Sequence, residues 1–369
     1  MRFPLALFLG TSLVLTAAVA CTAFDAANQQ PQPPADSDGG PNASDANQGG
    51  EPDANNQPDA TDDASTCAHD CGGAACQNGA CVAIPVLDDI DDLFGITADD
   101  ADLFYSRRAA LGGIGRLGPN GNASEYVPML DRPNDVVLVG PRLYFAVEGT
   151  ASIKYMDRAA VVPVSVSATA TPLRLSADGS GAAWLTASSV VWTSGGLGDL
   201  TSQSFDLAAV GEATALTVGN GKTWIVRGVS GGAHALEVFG RPGPRTETVP
   251  LPAASVTAID NGASGVFLAA DTGVIVVSNA GGSSVAETVV PPVSLGGEPR
   301  GIDELDGVLY VVTDNGDVWR VKPDGTGLTL LARAPACTGE RIAVSASWVY
   351  WTCMASSTNK GSIRKTPRR

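Results

Sequence analysis

A short strand with an aromatic centre recurs seven times along the chain, at intervals of 40 to 43 residues. That repeat predicts an all-β fold, a seven-bladed β-propeller. The copies are Leu103-Phe104-Tyr105, Leu143-Tyr144-Phe145, Ala183-Trp184-Leu185, Thr223-Trp224-Ile225, Val266-Phe267-Leu268, Leu309-Tyr310-Val311 and Val349-Tyr350-Trp351. An aliphatic strand precedes each copy by about eight residues, as at Val136-Val137, Leu216, Ile259 and Ile342. No stretch sustains the 3.6-residue periodicity of an amphipathic helix. Abundant glycine and proline, with only 6% aromatics, suit short strands joined by many turns.

Residues 1–20 read as a signal peptide. Arg2 supplies the positive start, Phe3 to Ala20 is uncharged and mostly apolar, and small residues precede Cys21. Ala18-Val19-Ala20-Cys21 resembles a lipobox, with Ala18 where leucine is usual; ordinary secretion after an A-x-A site is the alternative. The lipobox implies that Cys21 carries lipid and is the mature N-terminus. Setting Cys21 aside leaves six cysteines, an even number suited to three disulfides in an oxidising compartment.

Residues 21–66 form the expected lipidated tether. Thr22 to Thr66 contains no Lys or Arg and one aromatic, Phe24, so it cannot bury enough apolar area to offset its ordering entropy. A flexible chain of that length spans about 35–40 Å.

Residues 67–81 hold Cys67, Cys71, Cys76 and Cys81 among glycines. The spacing lacks the C-x2-C knuckles of zinc sites, so two disulfides are expected and His69 is a bystander. The segment is similar to the short Cys-Gly modules that follow tethers in bacterial surface lipoproteins. It is read as a staple that lies outside the ring.

Residues 82–369 are assigned to the propeller. Several copies continue into a hairpin, as Asp317 to Gly325 does, with Pro323-Asp324-Gly325 as its turn signal. The seventh copy ends one strand short at Arg369. Val82 to Leu87 has no home in the first copy, so it is expected to close the ring as the outer strand of the last blade, where Pro85 is tolerated at an edge. Cys337 and Cys353 flank the first hairpin of that blade and are expected to pair. Tyr350-Trp351-Thr352-Cys353 resembles the YWTD repeat of propellers, with Cys353 in place of aspartate. The whole pattern is similar to bacterial surface or periplasmic lipoproteins with YWTD- or TolB-like propellers, and only the architecture is carried over from them.

Several motifs invite catalytic readings. Gly113-Ile114-Gly115-Arg116-Leu117-Gly118 fits a dinucleotide fingerprint, yet Pro119-Asn120-Gly121 follows where a helix should start. Gly219-Asn220-Gly221-Lys222-Thr223 mimics the end of a P-loop, with an aromatic strand after it. Gly228-Val229-Ser230-Gly231-Gly232 fits a nucleophile elbow, but the nearest histidine, His234, belongs to the same loop. Asp88, Asp89, Asp91, Asp92, Asp99, Asp100 and Asp102 are dense without the alternating spacing that calcium needs, so a solvated acidic rim is expected. No catalytic residue, metal site or cofactor is assigned.

The loops entering each innermost strand do carry charge: Arg132, Arg174, Glu212, Glu298, Arg300, Glu340 and Arg341. In a propeller they converge on one face, as a binding face or as pairs between neighbouring blades. A net charge of −16 argues against nucleic acid. The expectation is a monomeric outer-membrane lipoprotein of the cell envelope, held to the membrane by lipid, whose propeller binds a protein or glycan without catalysis. The alternatives are a lyase- or lactonase-type propeller enzyme with a polar channel site, and a structural envelope component.

Overall fold

The computed structural model describes residues 67–368 apart from 68, 168–169, 179–180, 195–200, 207–211, 230–231, 242, 281–282 and 356–358. The signal, lipid-site and tether readings lie outside the described residues.

The described residues form seven sheets, antiparallel but for one parallel edge pair, arranged as a seven-bladed propeller. Blade one runs outward from the axis as Leu93–Ala98, Leu103–Arg107, Gly112–Leu117 and Ala123–Leu130. Blades two to six repeat this order from Pro133 to Arg333. Blade seven comprises Thr338–Val344, Trp348–Met354 and Lys360–Pro367, with Ile84–Asp91 as its outer strand. The innermost strand of each blade lies beside those of its two neighbours, and the seventh packs against the first, so the ring is closed.

The recurrent aromatic stands on the second strand of every blade, where both faces are covered by neighbouring blades. Phe104, Trp184 and Phe267 are fully buried, and apolar residues run almost continuously through these strands. The core is therefore a set of interblade clusters. Phe104, Ile114 and Val127 of blade one, for example, meet Val136, Leu143 and Phe145 of blade two.

Ring closure differs from the sequence reading in two ways. The closing strand is Ile84–Asp91 rather than Val82–Leu87. Val82 belongs to Ala80–Val82, which pairs in parallel with Thr329–Arg333 on the outer edge of blade six. The cysteine segment is also part of the ring's framework. Cys76–Gln77 and Ala80–Val82 make blade six a six-stranded sheet. Turn residues alone mark a strand's ends poorly, and no periodicity distinguishes a parallel edge strand three residues long. Disulfides join Cys67 to Cys76, Cys71 to Cys81, and Cys337 to Cys353.

The glycine-rich motif of blade one has a packing cause. The Tyr105 ring covers Gly115, and a Cβ there would stand 2.1 Å from its Cζ. Gly219 to Thr223 and Gly228 to His234 each join two strands of a hairpin, and no helix follows either. Ser230 lies outside the described residues.

Candidate functional site

The innermost strands of all seven blades line an axial cavity of about 380 Å³. Along much of the ring, a side chain from one inner strand accepts a backbone N–H of the next. The Leu138 amide donates to Thr97 Oγ1 at 3.3 Å and the Leu175 amide to Asp135 Oδ2 at 3.1 Å. The Val218 amide donates to Ser176 Oγ at 3.2 Å. The amides of Glu304 and Val344 donate to Asp260 and Asp303, each at 2.7 Å. These latches arise because one edge of every inner strand faces the channel, leaving amides with no ladder partner in their own blade.

Asp260 and Asp303 sit together on one side of the cavity. Burial pushes the Asp260 carboxyl up to about 6, against the pull of the Glu304 amide. Burial, and then the charge of Asp260, push Asp303 well above the ordinary carboxylate range. Burial and mutual repulsion together oppose ionisation of the pair.

The face where the inner strands begin is the upper face of the propeller. Arg174 and Arg341 line the cavity there. Burial, and then the positive charge of Arg341, hold Arg174 below the ordinary arginine range, although it stays protonated. Arg341 lies 5.3 Å over the Phe94 ring, and Arg108 lies 4.9 Å from the same ring. The neighbouring carboxylates are engaged. Asp135 accepts the amides of Val136 and Leu175. Glu148 accepts Arg108 at 2.6 Å and Asn134 at 2.9 Å.

Of the seven charged residues read from sequence, Arg174 and Arg341 come together at the channel. Glu298 and Arg300 form an ion pair at 3.2 Å. Arg132 is exposed, with Asp131 3.5 Å away, and Glu212 and Glu340 are exposed on the rim. The acidic run also divides. Asp88 pairs with Arg364 at 2.8 Å, Asp100 accepts the Ala346 amide at 2.7 Å, and Asp102 is buried between Arg116 and Arg158. Neither described histidine, His69 nor His234, lines the cavity.

Sequence reasoning missed Phe94, Arg108, Asp135, Asp260 and Asp303. The last two had a signal. Each stands seven residues before its central aromatic, as Thr97 does in blade one.

No protein-family profile matches the chain, and no curated protein matches it. Solved structures do. The β-propeller domain of Cps50 (Swd1) from Myceliophteria thermophila is 10% identical with a TM-score of 0.55, over 75% of this chain and 99% of that one. The computationally designed Ika8 protein is 10% identical with a TM-score of 0.54, over 77% and 98%. BamB from Moraxella catarrhalis is 13% identical with a TM-score of 0.45, over 74% and 86%. At these identities the first two show a shared propeller fold, and fold alone does not assign function.

Proposed function

We propose that the chain is a lipid-anchored envelope propeller that binds a protein or glycan at its upper face. The carrying observation is the channel mouth, where two half-buried guanidiniums, Arg174 and Arg341, converge and neither forms an ion pair among the described residues. Concave sites with a few convergent polar groups are the default binding positions of a fold. The lipobox and tether support delivery to the outer membrane and display away from its surface.

The test uses the full chain and its Cys21→Ala variant. Wild type is expected in the detergent phase and the variant in the soluble phase. Immobilised variant is then expected to retain one envelope component, protein or glycan, from a solubilised envelope extract. A variant that stays with detergent would sink the anchoring, and an extract that yields no retained component would sink the binding role.

The enzymatic reading has one observation in its favour, the buried Asp260–Asp303 carboxyl pair lining the cavity. Turnover of a polyuronate or lactone panel, lost in Asp303→Asn, would establish it.

A further inference from the structure

The mouth has a chemistry more specific than a generic binding face. Arg174 donates through Nη1 to its neighbour's carbonyl, Leu173 O, at 2.9 Å. Its remaining donors and those of Arg341 have no ion-pair partner among the described residues. Two like charges that desolvate and repel each other are costly to hold together, and an anion between them removes the cost. A guanidinium fork matches a planar carboxylate in geometry as well as charge.

A second feature adjoins the mouth. The turn from Arg108 to Leu111 of blade one lies beside the start of the innermost strand, because the Arg108 amide donates to Asp92 O at 2.7 Å. That turn presents Leu111 with 81% of its surface exposed. Met129, also 81% exposed, lies next to it, since Leu130 pairs with Gly112. Met129 adopts a left-handed backbone with φ of 55°, a conformation that costs an unbranched residue free energy. Ring contacts thus run from Arg341 through Phe94 to Arg108, and the turn that carries Arg108 also carries Leu111, beside Met129, two large apolar side chains held in water.

We infer that the upper face of blade one and the adjoining mouth receive an acidic peptide segment of a partner protein, one carboxylate seated between Arg174 and Arg341 and apolar side chains on Leu111 and Met129. This rests on the binding role proposed above and specifies its ligand. A sugar acid or free phosphate would satisfy the guanidiniums but leave the apolar pair unused. Asp135 and Glu148 offset only part of the mouth's charge: both carboxylates act on Arg174, and Glu148 also pairs with Arg108, so Arg174, Arg341 and Arg108 face two carboxylates between them.

The test is selection from a displayed library of random peptides on the full-length Cys21→Ala chain. Selected peptides are expected to carry Asp or Glu beside an apolar residue. Affinity for a synthetic copy should fall about tenfold or more in Arg341→Gln and in Arg174→Gln, the cost of losing a charge-assisted bidentate pair. It should fall less in Arg341→Lys, which keeps charge without the fork. Leu111→Ser with Met129→Ser, both exposed and harmless to folding, should weaken it about threefold or more. Selection of peptides without acids, or affinity unchanged from wild type in both Gln variants, overturns the inference. So does a uronate trisaccharide or inorganic phosphate that matches the peptide's affinity while the Leu111 and Met129 variant is silent. Retention of an envelope component unaffected by the Gln variants would leave the binding role standing and remove only this ligand class.

Discussion

The joint at blades six and seven and the joint at blades one and two hold the same ring together by different means. At the first, one run of chain spans three consecutive blades. Ala80–Val82 pairs on blade six, Ile84–Asp91 pairs on blade seven, and Leu93 opens blade one. Disulfides flank that run, and Cys71, Cys81, Cys353 and Trp351 share one apolar cluster. At the second joint the links are side chains. Asp102, with 1% of its side chain exposed, bonds Arg116 of its own blade at 2.8 Å and Arg158 of blade two at 3.3 Å. Ser106 donates to Asn134 O at 2.6 Å across the same joint. The difference follows from connectivity. Within blades one to six, successive strands are joined by short turns, which limits the entropy to be lost on pairing. In blade seven the outer strand comes from the far end of the chain, so its pairing closes a loop of nearly the whole domain. The disulfides span only 9, 10 and 16 residues of sequence, so they order the segments locally and the long closure rests on the strand pairing itself.

The largest effect is therefore expected at closure. Deleting residues 22–66 should leave the melting temperature essentially unchanged. Deleting 22–82 should lower it by several degrees, because blade six loses its two outermost strands and two disulfides. Deleting 22–91 should give insoluble protein, because the inner strands of blades one and seven lose the closure that keeps them together and an apolar edge is exposed. Calorimetry on the three truncations orders these outcomes. If the last two melt alike, closure and the cysteine segment are not separable and the comparison fails.

The side-chain joint should yield less. Asp102→Ala leaves Arg116 and Arg158 beside each other without their shared carboxylate. Breaking a buried pair costs about 3–5 kcal/mol, and both guanidiniums reach water, so about 2–3 kcal/mol is expected. For a domain of this size that is a fall of roughly 5 °C. A change of less than one degree would mean that this joint is held by Phe104 and its apolar neighbours alone.

What the sequence shows of this fold follows from how each part is encoded. The blades are legible because burial on both faces forces the same residue types into the same place in every copy, as at Phe104, Phe267 and Tyr310. The Cys337–Cys353 bridge is legible because its partners flank one hairpin. Ala80–Val82 is not legible, since its parallel pairing on blade six depends on where the chain has already been placed by the ring. The candidate site divides the same way. Arg174 and Arg341 were found because inner strands converge, whereas Phe94 and Arg108 reach the mouth only through a turn whose direction the repeat does not specify. Rim residues such as Glu212 and Glu340 carried the same sequence signal as Arg341, and loop geometry alone separates them.

The smallest and most diagnostic effect belongs to the latches between inner strands. Thr97 and Ser176 do this work with neutral hydroxyls, while Asp260 and Asp303 do it with carboxyls that resist ionisation. A carboxyl whose folded-state pKa is raised binds its proton more tightly in the native chain than in the unfolded one. Its stabilisation is then complete below the unfolded value, near 4, and is lost as pH rises through about 6, the value at Asp260. Asp303→Asn keeps an oxygen to accept the Val344 amide and has no charge to lose. The variant should match wild type near pH 4.5 and melt a few degrees higher near pH 8. A constant difference across that range, or a variant less stable at pH 8, would show that Asp303 is ionised without penalty. A gain at pH 8 would mean that the native residue sacrifices stability where a neutral side chain serves the latch equally well. Such a residue is retained for what its proton does in the channel rather than for the ring, and the Asn variant should then be assayed first for ligand release and then for turnover.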